Sequence, residues 1–302
     1  MNPLVVLKAL RPKQWTKNLL LFAGIVFARQ WGDPVALRSA FLGFLVFCLL
    51  SGVIYLVNDI CDREKDAQHP KKRLRPIASG ALSVAAAWAW AAFLLVAMMG
   101  LSIAVLPLKF TIAAALYVLL TVGYSFLFKH VAILDILVLA MGFVLRAVAG
   151  VEAISRPDAP VPITSYFVLT TLFLALFLAI CKRRNELVTL GEHAGEHRAV
   201  LSSYNTQYLD QLVTVATAGV LFSYALWTTQ GSFAQASRPN IEAYTMVATM
   251  PFVIFGIFRY LWLVYSRNEG GAPEALLLED RPLLASVALW FAATVGVLLW
   301  TR

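Results

Sequence analysis

Residues 36–66 read ALRSAFLGFLVFCLLSGVIYLVNDICDREKD. The stretch opens as an apolar run long enough to cross a bilayer, which takes about 20 such residues. It closes on Asn58-Asp59-Ile60-Cys61-Asp62-Arg63-Glu64-Lys65-Asp66, a dense set of carboxylates. The C-terminal end of a helix is already the negative end of its dipole, so carboxylates stacked there need something to offset them.

Outward from this stretch, the whole chain is apolar. Its 302 residues are 60% hydrophobic and 14% charged, with a mean hydropathy of +0.74. A soluble domain carries about 25% charged residues, so composition excludes a water-facing globule. Candidate spans recur at 18–31, 36–57, 82–105, 108–128, 131–152, 162–181, 208–230, 243–265 and 282–301. The expected fold is therefore all-α: a polytopic integral membrane protein of about nine transmembrane helices, forming one domain over residues 1–302 with no linker dividing it.

The net charge is +8, but the cations cluster in short segments between apolar runs. That pattern indicates topology and anionic ligands, with membrane lipids as surroundings and no nucleic acid as partner. With the N-terminus inside, Lys8, Arg11, Lys13, Lys17, the Arg63–Arg75 run, Lys129, Lys182–Arg184, Arg198, Arg267 and Arg281 are internal. Only the scattered Arg29, Arg38, Lys109, Arg156, Arg238 and Arg302 are external. The positive-inside bias thus sets the N-terminus and the active site on the cytoplasmic side, as in a multi-pass protein of a bacterial inner membrane. The segment Met1–Asn18 shows no cleavable signal. Cys48, Cys61 and Cys181 are odd in number and lie in or beside apolar runs, without disulfide or zinc spacing.

If the second span stays helical, Asn58, Asp62 and Asp66 fall at i, i+4 and i+8 on one face, with Asp59 at its edge. Oxygen ligands of this kind suit Mg²⁺, which shares its shell with substrate phosphates. The alternative is a solvated helix end neutralised by Arg63 and Lys65. The following run, His69-Pro70-Lys71-Lys72-Arg73-Leu74-Arg75-Pro76, reads either as a diphosphate clamp or as an anchor against anionic lipid.

With these residues in view, the chain resembles the UbiA prenyltransferase superfamily, whose hallmark Asn-x-x-x-Asp-x-x-x-Asp is matched by Asn58, Asp62 and Asp66. The resemblance covers nearly the whole chain and implies an intramembrane, Mg²⁺-dependent transferase with Asn58, Asp59, Asp62 and Asp66 at the metal. Ordinary aromatic prenyltransferases of that family carry a second aspartate-rich motif after the sixth helix. Here that place reads Cys181-Lys182-Arg183-Arg184-Asn185-Glu186-Leu187, richer in cations than carboxylates. Three stretches resemble the branch that includes decaprenyl-phosphate phosphoribosyltransferases: Arg11-Pro12-Lys13-Gln14-Trp15-Thr16-Lys17-Asn18; Leu134-Asp135-Ile136 leading to Arg146 and Gly150; and Lys-Arg-x-x-Glu-Leu with the later Tyr204.

That branch implies transfer from 5-phosphoribosyl 1-diphosphate to a polyprenyl phosphate, for lipid-linked pentose precursors of cell-envelope polymers. The residues expected to act are Asn58, Asp62, Asp66, Lys17 and Glu186. Arg73, Arg75, Lys129, Lys182, Arg183, Arg146, Tyr124, Tyr204 and Asp135 are expected around substrate phosphate and ribose. Several carry a plainer alternative: Arg146 as half of a structural ion pair, Asp135 as a helix N-terminal acid, Lys129 as a positive-inside anchor. His193 and His197, beside Glu192 and Glu196, fit a capping loop better than a metal site. A homo-oligomer stays open. Competing functions are an ordinary prenyl transfer to an aromatic acceptor, weakened by the missing second motif, and a lipid transporter or flippase. A transporter places its polar groups near the bilayer midplane, whereas these crowd one face.

Overall fold

The computed structural model describes residues 3–70, 72–191, 195, 198–229 and 245–301. Lys71 of the basic run, Glu192, His193, Glu196 and His197 of the capping loop, and Arg238 and Arg302 of the charge comparison lie outside the described residues. The described residues form helices joined by turns and loops, with one isolated β-bridge, Arg156 with Ala159. In chain order the helices are α1 (Pro3–Ala9), a 3-10 helix (Pro12–Phe22), α2 (Ala23–Phe27), α3 (Pro34–Cys61), α4 (Arg63–Gln68), α5 (Val84–Val105) and α6 (Leu108–Phe126). Then follow α7 (Leu134–Ile154), α8 (Ser165–Leu190), α9 (Thr206–Thr229), α10 (Met250–Ser266), α11 (Pro273–Glu279) and α12 (Arg281–Trp300).

Among the described residues, 8 helices are long and apolar enough to cross a membrane. The expected span at 18–31 is the exception, because it is not one α-helix. Pro12 bars its predecessor from the right-handed helical region, and Arg11 takes φ 54° and ψ 63° instead. The chain then winds as a 3-10 helix to Phe22 and as α2 to Phe27. A 3-10 helix rises about 2.0 Å per residue against about 1.5 Å. Pro12–Phe27 thus reaches about 30 Å, near the hydrocarbon thickness, where an α-helix of that length would reach about 24 Å.

Several helices start on a side-chain cap. Asp33 accepts from the Val35 (2.8 Å) and Ala36 (3.3 Å) amides at the start of α3, with Pro34 in the first turn. Ser83 caps α5, Thr164 caps α8 and Asp280 caps α12. Each cap satisfies amides that would otherwise be orphaned at the membrane boundary.

By its internal contacts the chain divides into two compact units. The first comprises Met1–Val26, Gln30–Lys129 and Leu145–Val161; the second comprises Phe27–Arg29, His130–Val144 and Pro162–Arg302. In the first, α3 is the central helix: 67% of its apolar window is buried, against 17% for α5, which leaves its surface to lipid. Its core joins Phe47, Leu50, Phe110, Tyr117 and Ala149. Gly150 is required there, since a Cβ on it would lie 2.1 Å from the Leu21 carbonyl oxygen. Such small residues let membrane helices approach backbone to backbone. In the second unit, α8 packs along α9 around Phe177, Leu209, Val213, Tyr260 and Leu263.

Candidate active site

In the first unit, α3 ends where the carboxylates begin. Asp62 adopts φ −95° and ψ 7°, in the bridge region between helical and extended conformations, and α4 resumes at Arg63. The backbone bonds carry through the bend: the Asp62 amide donates to Asn58 O (2.9 Å) and the Asp66 amide to Asp62 O (2.8 Å). Asn58, Asp62 and Asp66 therefore keep their expected succession along one chain path.

Their side chains part company. Asn58 Nδ2 donates to Asp62 Oδ2 at 3.1 Å, and Lys129 Nζ donates to Asp62 Oδ1 at 2.7 Å. Arg75 Nη1 bridges Asp59 Oδ1, at 3.2 Å, and Asp66 Oδ2. Arg11 Nη2 reaches the same Asp59 oxygen, with its guanidinium 4.9 Å over the Tyr55 ring. Asp59 and Asp66 are buried at 2% and 3% exposure, while the Asp62 side chain keeps 27%. Burying a carboxylate without a cation would cost several kcal/mol, so Arg75 and Arg11 answer the sequence's accumulation of negative charge.

This redistributes the expected roles. Arg75, expected on diphosphate, holds Asp59 and Asp66. Asp59, expected at the metal, is engaged by two arginines. Lys129 meets Asp62 itself. Arg73 stays exposed on a short 3-10 turn, Lys72–Leu74, and Lys17 and Tyr124 are half-buried in the same unit. Among the described residues, no group of three His, Cys, Asp or Glu side chains is arranged to hold a metal ion. Asn58 and Asp62 offer oxygen donors of the kind Mg²⁺ takes when one or two carboxylates hold it and water and substrate phosphate complete its shell, while Asp66, one turn on, is paired with Arg75.

Arg146 was expected at phosphate or the acidic motif. It is 7% exposed on α7 instead, with Nε donating to Asn18 Oδ1 (2.8 Å) and Nη2 to the Tyr117 hydroxyl (2.7 Å). Its guanidinium also lies 4.6 Å from the Tyr117 ring. A charged group at membrane depth takes the polar partners available at its own level, and these come from the N-terminal 3-10 helix and α6.

The second unit holds a separate network at the start of α7. Asp135, 0% exposed, accepts from Arg183 Nε (2.8 Å) and from the Tyr204 hydroxyl (2.7 Å). Arg183 Nη1 donates to Glu186 Oε2 at 2.8 Å. The Ile133 amide donates to the Tyr204 oxygen at 2.6 Å. Ile133 has φ 71°, a strained value for a β-branched residue. Burial, with the hydrogen bond to Asp135 next, pushes the Tyr204 hydroxyl above the usual tyrosine range, so it stays a donor.

The cation run Lys182–Arg184 is thus not a continuous phosphate surface. Successive helical side chains point about 100° apart. Arg183 is buried on Asp135 and Glu186, Arg184 pairs with Asp210, and Lys182 alone of the three has no ion pair among the described residues. Tyr204 and Asp135, expected around phosphate and ribose, are internal to this network. Arg11, Asn18, Tyr117 and Asp210 also build these networks without a local sequence signal: Arg11 and Asn18 stand in the N-terminal motif, but their partners lie 48 and 128 residues away.

A helical membrane bundle with an Asn/Asp motif at the foot of its central helix defines a class. The chain belongs to the UbiA prenyltransferase family, whose pattern matches residues 19–291. Within it, the chain is 35% identical to a decaprenyl-phosphate phosphoribosyltransferase of Corynebacterium glutamicum, over 94% of this chain and 84% of that protein. It is 34% identical to the protein of the same name from Mycolicibacterium smegmatis, over 98% and 92%. Among solved structures, a UbiA homolog from Archaeoglobus fulgidus bound to GPP and Mg²⁺ superposes with a TM-score of 0.72 at 22% identity, over 97% of this chain and 99% of that one. That likeness is one of fold.

Proposed function

We propose that this chain transfers the 5-phosphoribosyl group from 5-phosphoribosyl 1-diphosphate to a decaprenyl-like polyprenyl phosphate, releasing diphosphate. The observation that favours this over ordinary prenyl transfer is Arg183. Its guanidinium engages both Asp135 and Glu186, the carboxylates a second metal site would need. The names of the full-length relatives agree with it.

In this reading Asn58, Asp62 and Asp66 hold Mg²⁺, which when bound supplies Lewis-acid stabilisation of the leaving diphosphate. Arg73 and Lys129 add donors to the same group as its charge grows, with Lys17 on the N-terminal side. Arg75 and Arg11 keep Asp59 and Asp66 placed. The bond from the anomeric carbon to diphosphate oxygen breaks, and one from that carbon to a phosphate oxygen of the lipid forms. The lipid phosphate is already ionised at neutral pH, so no general base is required. Lys182 binds a phosphate monoester from α8, the helix that also carries Arg183 and Glu186 of the network with Asp135 and Tyr204. The N-terminus and the acidic motif face the cytoplasm of a bacterial inner membrane.

The test offers purified protein radiolabelled 5-phosphoribosyl 1-diphosphate with decaprenyl phosphate, and separately a prenyl diphosphate with aromatic acids. Product in the first assay only is expected. In Lys182→Ala, loss of a charge-assisted contact of about 1.5–3 kcal/mol should raise the KM for one phosphorylated substrate roughly ten- to a hundred-fold. Product only from the prenyl diphosphate would overturn the proposal.

A further inference from the structure

Lys129 stands between two roles. The transfer reading gives its ammonium to the leaving diphosphate, whereas its Nζ lies 2.7 Å from Asp62 Oδ1, an oxygen that a divalent cation would also use. Asn58 is engaged at the same carboxylate. Its Nδ2 donates to Asp62 Oδ2 at 3.1 Å, so it turns an N–H, and not its carbonyl oxygen, toward the group with which it would share a metal.

Side-chain cations match the carboxylates of the motif, and the matches differ in kind. Buried Asp59 and Asp66 share the Arg75 guanidinium, and Arg11 adds to Asp59. A planar fork that spans two buried carboxylates cannot leave without stranding both. Asp62 is the most open of the three, and its partner is a lysine. An ammonium is a compact point charge on a flexible stem, and an ion pair open to solvent is weak. Lys129 also stands on a short 3-10 turn, Phe128–His130, outside the long helices, so its stem can swing without unwinding one. Of the cations on the motif, Lys129 is therefore the one that yields most easily to a competitor.

We propose that Lys129 is an exchangeable counter-cation on Asp62. A divalent cation arriving at the motif displaces the ammonium, and Asn58 turns its amide oxygen toward the carboxylate. Lys129 is then released to the diphosphate, so it serves that group only after the metal is in place. The inference rests on the reading that Asn58 and Asp62 hold the metal, and it is independent of which group is transferred.

Mn²⁺ serves as the probe, titrated into the full chain in detergent, with free Mn²⁺ read by electron paramagnetic resonance. Lys129→Met should tighten Mn²⁺ binding about threefold to tenfold, as removal of a weak competing ion pair does. Lys129→Arg, which keeps a cation on Asp62, should bind no tighter than wild type. A second measurement needs no substitution at Lys129. In wild type, Mn²⁺ should raise several-fold the rate at which an acylating reagent modifies Lys129, followed by peptide mass spectrometry. Asp62→Asn should show the raised rate without Mn²⁺. Binding that does not tighten in Lys129→Met, equal tightening in Lys129→Arg, or labelling that Mn²⁺ leaves unchanged or slows would overturn the exchange and leave the metal site standing. Mn²⁺ binding that survives intact in Asp62→Asn would overturn the exchange and the metal reading together.

Discussion

Arg183 Nε lies 2.8 Å from Asp135 Oδ2, with the two side chains 2% and 0% exposed. The pair joins α8 to the start of α7, and Tyr204 and Glu186 complete its shell. Removing one member leaves the other charged and buried. Arg183→Ala and Asp135→Ala should each destabilise by about 3–5 kcal/mol, and the combined change by clearly less than the sum. Thermal unfolding of all four proteins, followed by fluorescence-detected size exclusion, checks the non-additivity. Additive losses would mean the two residues act separately.

The acidic motif separates into an exposed and a buried part, and substitution should reveal it. Asp62→Asn, with the side chain 27% exposed, should abolish turnover with little change in thermal midpoint. Asp66→Asn should also abolish turnover, and in addition lower the midpoint, because Arg75 loses a charged partner in a buried site. EDTA should stop the wild-type protein and Mg²⁺ restore it. Full activity in both variants would remove the motif from the chemistry.

Tyr204 should give the protein an alkaline limit. Its hydroxyl titrates above the ordinary value of 10.0 because it is buried and donates to Asp135. A group whose folded pKa is raised stabilises fully below its unfolded value and loses that contribution as pH rises. Wild type should therefore lose stability above about pH 10, and Tyr204→Phe should lose this part of the dependence. At neutral pH the variant should be weaker by about 1–3 kcal/mol, since the Ile133 amide and one Asp135 oxygen lose their partner. Melting curves between neutral and alkaline pH decide it.

The proposed orientation makes a labelling prediction. In a Cys61→Ala background, a cysteine at Lys72 or Arg198 should react with an impermeant thiol reagent only from the cytoplasmic side. A cysteine at Asp158, 75% exposed between α7 and α8, should react only from the opposite side. The reverse pattern would invert the orientation and move the acidic motif to the other face.

Composition and periodicity alone determined that this is a helical membrane protein with an acidic motif at the foot of α3, because hydrocarbon leaves a backbone few other ways to satisfy itself. They determined the succession Asn58, Asp62, Asp66 as well, since that depends only on local hydrogen bonds. They could not determine what each charge faces. Arg75 was expected on substrate and holds Asp59 and Asp66; Arg183 was expected on phosphate and is sealed between Asp135 and Glu186. Those assignments are tertiary. A cation run gives each guanidinium a sign and a reach, but the carboxylate that captures it is chosen by which helices pack beside it. For Arg146 the partners are Asn18 and Tyr117, brought to its level on α7 by the 3-10 helix and α6. The first span shows the same division. Its apolarity was legible, but its winding as a 3-10 helix after the left-handed Arg11, and the close approach of Leu21 to Gly150, appear only in the tertiary structure.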